Sequence, residues 1–487
     1  MQLLRCLVAS GLLSELILVL LVGAQEAVSK GKPHVRTLSA STLNEPIRIA
    51  SYVINLTEEG YNCRSVGEKV QVGEGLNDCK ELPPLPKEAL DRSDCLHICR
   101  AVDIAGEEQR LVLQSALLRA ARRISSAVSV LRPGHRQERS TLENCMGRHH
   151  VDTNRVPVAY DADLIIVADA RPLPEHAPTQ SVVCSRDSWG RPASGLIFVS
   201  PVVLSKSSLF HDSGRFKEAL MRKLLHEMMH ILGFEGSSFL LFRDENLKLR
   251  RRVTAPVAFW PGDVRQAVIT PAVVSRAREH FDAEDLDGVP LALSPSDPVG
   301  SAPHWHPKYC FGEIMTASVG SDNALSALSL ALLEDSGWYS VNYSAAERWS
   351  WGRGQGAAFL RSGCDKWEDG TAYHCRGHPG PGTPKLCTHD AASTGFCANT
   401  TAVSQTQRRD TLSELPDAFA EDSCMLAVPE LQGLCAEPPE DHSTLPDWTV
   451  YGESSRCFDV SIDNSALAVC LPHNCSQDGL LSFELDG

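Results

Sequence analysis

Beyond its first two dozen residues, this sequence has no apolar run approaching the roughly 20 residues needed to span a bilayer. No transmembrane helix is therefore expected once the leader is removed. Positive charge is also short, with 46 Lys and Arg against 61 Asp and Glu, a net charge of −15 and a pI near 5.6. That balance argues against nucleic acid or an anionic membrane surface as a primary partner. Internal repeats and low-complexity tracts are missing as well, so the chain is not a stack of copies of one unit. What is present is 487 residues, enough to bury a large core in two or three domains.

Cysteine is plentiful. Residues Met1–Ala24 read as a secretory signal peptide, with Arg5 in the basic region, the run Leu16 to Gly23, and Val22-x-Ala24 as the cleavage site. Glu15 interrupts the apolar stretch. Cys6 leaves with this leader, and the even number remaining is concentrated after residue 363, as in a secreted, disulfide-stapled protein. Four glycosylation acceptors fit the same setting: Asn55-Leu-Thr, Asn342-Tyr-Ser, Asn399-Thr-Thr and Asn474-Cys-Ser.

The chemistry is concentrated in Leu224-Leu225-His226-Glu227-Met228-Met229-His230-Ile231-Leu232-Gly233-Phe234. On a helix, residues four apart share a face, so His226 and His230 can reach one metal ion. Glu227 then projects beside the metal, where it can take a proton from a zinc-bound water. Gly233 lets the chain leave the helix sharply. An ordinary buried amphipathic helix is the competing reading. Against it, Leu224, Leu225, Met228, Met229, Ile231 and Leu232 wrap the motif, and two histidines and a glutamate in such a place need a metal to satisfy them. Upstream, Asp163 to Ala168 and Gly195 to Val199 read as buried strands. A strand leading into the metal helix suits a protease, whose substrate commonly adds to an exposed sheet edge.

Catalytic zinc normally takes three protein ligands, and here Gly236 stands where a third histidine would follow the glycine turn. Residues 300–317 offer His304 and His306, then Met315 in a Glu-Ile-Met-Thr-Ala turn. On an extended segment both histidines point to the same side, so local geometry leaves the choice open. Other histidines read as structural or exposed. His149 and His150 are adjacent, so their side chains diverge, and His211 and His280 read likewise as structural or exposed.

These residues resemble the leishmanolysin family, the major surface metalloproteases of trypanosomatids. The resemblance rests on the helix ending Leu232-Gly233-Phe234, the long insertion before His304-Trp305, and Met315 eleven residues after that histidine. It continues through Asp335-Ser336-Gly337-Trp338-Tyr339 and Trp351-Gly352, reaches back to Pro46-Ile47-Arg48-Ile49-Ala50, and covers nearly all of residues 46–487. It implies an α+β fold with a metzincin-like catalytic domain split by a large insert, followed by a disulfide-rich C-terminal domain. It also implies one Zn2+ per chain on His226, His230 and His304, with Glu227 as general base and Met315 in the Met-turn. The function implied is zinc-dependent endopeptidase action on protein or peptide substrates, at the cell surface or after secretion. Host-cell surface or matrix proteins are candidate partners. The alternative is a catalytically degenerate surface homologue acting in adhesion, although a binding-only descendant has no need of Glu227.

The resemblance further implies the disulfides Cys63–Cys79, Cys145–Cys184, Cys364–Cys424, Cys375–Cys397, Cys387–Cys457 and Cys435–Cys470. Cys95, Cys99, Cys310 and Cys475 are left unassigned, and Cys95 and Cys99, four apart in an expected helical region, either pair or stay free. The expected organisation is a signal peptide (1–24), a short pro-region stub (25–45), an N-terminal catalytic subdomain (46–235), a central subdomain carrying His304 and the Met-turn (236–362), and an incomplete Cys-rich domain (363–487). Within the first subdomain, Leu111 to Leu131 reads as a long amphipathic helix with Arg119, Arg122 and Arg123 on a solvated face. The family's lipid-anchor signal is not found in the final residues, Leu481 to Gly487.

Overall fold

The computed structural model describes residues 45–54, 61–71, 96–131, 139–153, 162–173, 178–205, 214–260, 263–292, 303–316, 323–363, 375, 385–399, 425–436, 438, 449–452, 454–462, 465–475 and 481–482. The expected signal peptide, the stub up to residue 44, Asn55, Cys79, Cys95, His211, Cys364 and Cys424 lie outside these residues. Helices and sheets are mixed as α+β. Among the described residues no helix is long and apolar enough to cross a membrane.

The first sheet has four strands: β1 (Ile49–Val53), β2 (Leu164–Ala170), β3 (Thr179–Arg186) and β4 (Pro192–Val199), in the spatial order β1-β2-β4-β3. β1, β2 and β4 run parallel, and β3 is antiparallel to β4 at the edge. All seven residues of β2 are buried, as expected of a parallel strand covered on both faces. Alternation then divides them: Leu164, Ile166 and Ala168 enter one core, Ile165 and Val167 another on the opposite face.

Helix α1 (Glu107–Ala127) covers the first of these faces. Leu113, Leu117, Ala120 and Ile124 recur at helical spacing and are buried. The expected helix over 111–131 is therefore shifted, starting and ending four residues earlier. Val128-Ser129-Val130, rich in β-branched residues, leaves it as a strand that pairs with Tyr339–Val341. Two arginines on the polar side meet neighbours: Arg119 lies 2.6 Å from Glu218, and Arg123 lies 2.9 Å from Glu347.

Helix α2 (Gly214–Leu232) carries the His-Glu motif. It settles against β4 at Gly195, where a Cβ would lie 2.8 Å from the Ile231 side chain and 2.8 Å from the Val182 carbonyl oxygen. Only glycine allows so close an approach. The helix ends at Gly233, whose φ of +148° belongs to a region that other residues rarely adopt.

A second, antiparallel sheet orders His304–Trp305, Val289–Ala292, Asp263–Val268 and Thr254–Trp260 side by side. Its core is continuous with that of α2: Leu225, Met228, Trp305, Met315 and Leu332 all belong to one apolar cluster. Asp335 is buried and accepts the backbone N–H groups of Ala272 and Val273 at 3.1 and 2.9 Å, which caps the helix Pro271–Phe281.

Beyond residue 384 the elements are short antiparallel ribbons: Leu386–Cys387 with Ser393–Asn399 and Met425–Leu434, Ser455–Ile462 with Ser465–Pro472, and Asn474–Cys475 with Leu481–Ser482. Cys375 is bonded to Cys397, Cys387 to Cys457 and Cys435 to Cys470. In the first half Cys145 is bonded to Cys184.

One pairing differs from expectation. Cys63 is bonded to Cys99 and not to Cys79. Leu96–Ile98 forms a strand, not a helix, antiparallel to Lys69–Gln71. Backbone bonds from Gly67 N–H to Cys99 O and from Cys99 N–H to Glu68 O then bring the two Cα atoms to 5.6 Å. Cys310 is a buried free thiol, and burial raises its pKa well above the usual value.

Candidate metal centre

His226 and His230 stand one turn apart on α2, and His304 arrives on the two-residue strand beside Ala292. Their Nε2 atoms converge. His226 is 3.1 Å from both His304 and His230, and His230 is 3.3 Å from His304. Two nitrogens on a tetrahedral zinc, each about 2.0–2.1 Å from it, lie about 3.3 Å apart. Among the described residues this trio is the group that could hold a metal ion.

The opposite edges of the two helix-borne rings fix their tautomers. His226 Nδ1 lies 2.6 Å from the Ile314 carbonyl oxygen and His230 Nδ1 lies 2.7 Å from that of Phe234. A carbonyl only accepts, so each Nδ1 carries the proton and each Nε2 presents a lone pair. Two lone pairs 3.1 Å apart repel unless a cation lies between them, so the donor set fits zinc. Burial and the neighbouring His230 push the His226 pKa down to about 4, which keeps that ring neutral as a ligand must be.

The Ile314 carbonyl belongs to the turn that carries Met315. Trp305 N–H donates to Met315 O at 2.9 Å, tying the strand of His304 to that turn. Glu313, buried below the turn, accepts from Met315 N–H at 2.6 Å and from the Ser326 hydroxyl at 2.7 Å. Burial is the main reason its pKa rises to about 7. Met315 itself is fully buried.

His306 is placed elsewhere. It is 1% exposed, and its Nε2 lies 2.7 Å from an Arg265 guanidinium nitrogen, which commits that lone pair to a cation already present. Burial first, and Arg265 second, hold its pKa well below the usual histidine value. Among the other histidines, His280 is stacked on Trp349 at 4.1 Å and bonded to the Trp351 carbonyl, and the His149 ring lies near Phe198. His150 is stacked on Tyr61.

Glu227 is 4% exposed and its carboxylate is held from the edge strand. Thr179 donates its hydroxyl to Oε1 at 2.7 Å, and Ser181 donates to Oε2 at 2.6 Å. Sequence reasoning missed both residues, and Glu313 as well. No spacing rule links them to the motif, although alternate hydroxyls on a strand preceding the helix were there to be read. Of the glycosylation acceptors, Asn342 and Asn474 are exposed, and Asn342 Oδ1 accepts from Ser344 N–H at 3.2 Å. Asn399 ends a strand.

Comparison with known proteins adds an independent finding. A peptidase family model described as leishmanolysin matches residues 34–482. The chain is 31% identical over 220 residues to a leishmanolysin-like peptidase of Drosophila pseudoobscura pseudoobscura, covering 37% of this chain and 32% of that protein. It is 28% identical over 336 residues to the ciliated left-right organizer metallopeptidase of Mus musculus, covering 62% and 43%. Similarity to leishmanolysin of Leishmania donovani is 25% over 454 residues, covering 88% and 69%. The chain thus spans about a third of the fly relative and under half of the mouse one.

Proposed function

Because the chain belongs to the leishmanolysin family of peptidases, we propose that it is a zinc-dependent endopeptidase acting on protein or peptide substrates at the cell surface or after secretion. His226, His230 and His304 are the ligands, Glu227 is the general base, and Met315 lies in the Met-turn. The catalytic region would be metzincin-like and split, with α2 in the part 46–235 and His304 delivered by the part 236–362. The observation that carries this reading is the convergence of three Nε2 atoms within 3.3 Å of one another beside a buried carboxylate.

A bound zinc ion supplies Lewis-acid polarisation of a peptide carbonyl and makes water acidic enough to ionise near neutral pH. The protein supplies the rest. The Ile314 and Phe234 carbonyls hold the His226 and His230 rings in the tautomer that leaves Nε2 free. Glu227 takes the proton of the attacking water on its carboxylate and hands it to the leaving amine nitrogen. β3, outermost in its sheet, offers an extended peptide an edge beside α2.

A second reading, a surface homologue acting in adhesion, is disfavoured by the retention and anchoring of Glu227, which binding alone does not require. Glu227→Gln separates the two. Turnover of casein should fall by about 10²–10⁴-fold, with zinc content and melting temperature near those of the unsubstituted chain. A variant that keeps more than about a tenth of the turnover would show that Glu227 is not the base.

A further inference from the structure

The carboxylate of Glu227 does not hang free from its helix. Thr179 and Ser181 are two residues apart on β3, so their side chains share one face, and that face meets α2. The alternate residues point the other way: Val182 packs into the opposite core, and Cys184 is bonded to Cys145 there. The two hydroxyls reach different oxygens of the same carboxylate, at 2.7 and 2.6 Å. One bond would leave the carboxylate free to rotate about its last torsion. Two bonds from a rigid strand fix its plane. Each carboxylate oxygen has two lone pairs, so each keeps one for water after accepting a hydroxyl.

We propose that Thr179 and Ser181 are positioning residues that hold the Glu227 carboxylate in the orientation needed for proton transfer. The inference rests on reading the site as a hydrolase. The strand that offers a peptide its edge would then also hold the general base, so substrate and base share one rigid support. Misplacing a reacting group by about an ångström costs up to about 10²-fold in rate.

The test compares zinc-loaded chains carrying Thr179→Val, Ser181→Ala and both. kcat should fall about 3- to 10-fold for each and about 10- to 100-fold for the pair, with KM and zinc content unchanged. The hydroxyl-retaining variants Thr179→Ser and Ser181→Thr should recover most of the loss, which a purely structural role would not require. An activity-independent reading comes from thermal melting. Ser181→Ala should shift Tm by less in a Glu227→Ala background than in the unsubstituted chain, because its partner is already gone. A pair within twofold of the unsubstituted kcat, or equal Tm shifts in both backgrounds, overturns the positioning role alone. No hydrolysis by the zinc-loaded unsubstituted chain overturns the peptidase reading, and the positioning role with it.

Discussion

Between residues 45 and 363, side chains such as Ile124, Leu225, Met228, Trp305 and Leu332 converge in one continuous apolar core. Among the described residues beyond 384, Leu426 joins that core, while Cys435, Cys457, Ala468 and Cys470 form a small cluster of their own, with Cys387 and Tyr451 packed against it. The first region is held mainly by burial, each fully buried aliphatic or aromatic side chain contributing about 1.5–3 kcal/mol, with Cys63–Cys99 and Cys145–Cys184 in addition. Among the described residues of the second, fewer large apolar side chains are buried, Leu426, Val469 and Leu471 among them, so its ribbons lean more on covalent closure. Bonds spanning 22, 35 and 70 residues each restrict the unfolded chain by about 3.5–4.5 kcal/mol in the loop-entropy account. The contrast also separates function from scaffold. The proposed metal ligands, base and Met-turn all lie in the first region, where packing can hold rings to within tenths of an ångström. The two regions meet where His389 lies against Trp351 at 5.0 Å and Phe311 at 5.5 Å.

The largest expected effect falls within the packed region. His304→Ala should leave far less than one zinc per chain, whereas His306→Ala should stay near one, because His306 already serves Arg265. The reverse result, by metal analysis on folded protein, would move the third ligand to His306. Next comes the contrast between the regions themselves. Mild reduction followed by limited proteolysis should clip the chain after residue 363 first, while the packed half stays whole. Early loss of the 46–235 segment would show that the two regions do not differ in this way.

A smaller effect concerns a polar group inside the packed region. The folded-state pKa of Glu313 is about 7 against an ordinary 4.5, so between those values the folded protein holds a proton that the unfolded chain has released. Stability from this group is therefore full below pH about 4.5 and is lost as pH rises to about 7, by at most about 3 kcal/mol. Burial lowers the His280 pKa to about 4, which makes a contribution of opposite slope between about pH 4 and 6.5. The cleaner measurement is thus the difference in urea unfolding between the unsubstituted chain and Glu313→Gln across pH 4–8. A difference that does not change with pH would mean that Glu313 is not the titrating group.

Some of this was legible in the sequence for plain physical reasons. The spacing of His226 and His230 is a property of any helix, and the run Leu164 to Ala168 announces a strand buried on both faces. What depended on distant partners was not legible. Alternation along a strand could not choose between His304 and His306, because the choice turns on Arg265, 41 residues away, claiming the second. Cys63 found Cys99 through a pair of short strands that Lys69–Gln71 and Leu96–Ile98 do not announce by composition. The end of α1 was misjudged because Val128 and Val130 fit a helical apolar period as well as a strand, and only their pairing with Tyr339–Val341 decides. The hydroxyls on Glu227 lie 46 and 48 residues from it and follow from the fold alone.

Zinc quantification together with casein cleavage on the purified, unsubstituted chain, before and after chelation, tests the peptidase reading itself. About one zinc per chain is expected, with cleavage that disappears on chelation and recovers when zinc is returned. A folded chain that binds zinc at that stoichiometry and cleaves nothing would contradict it and favour the adhesion reading; a chain that cleaves equally well without zinc would contradict the metal site itself.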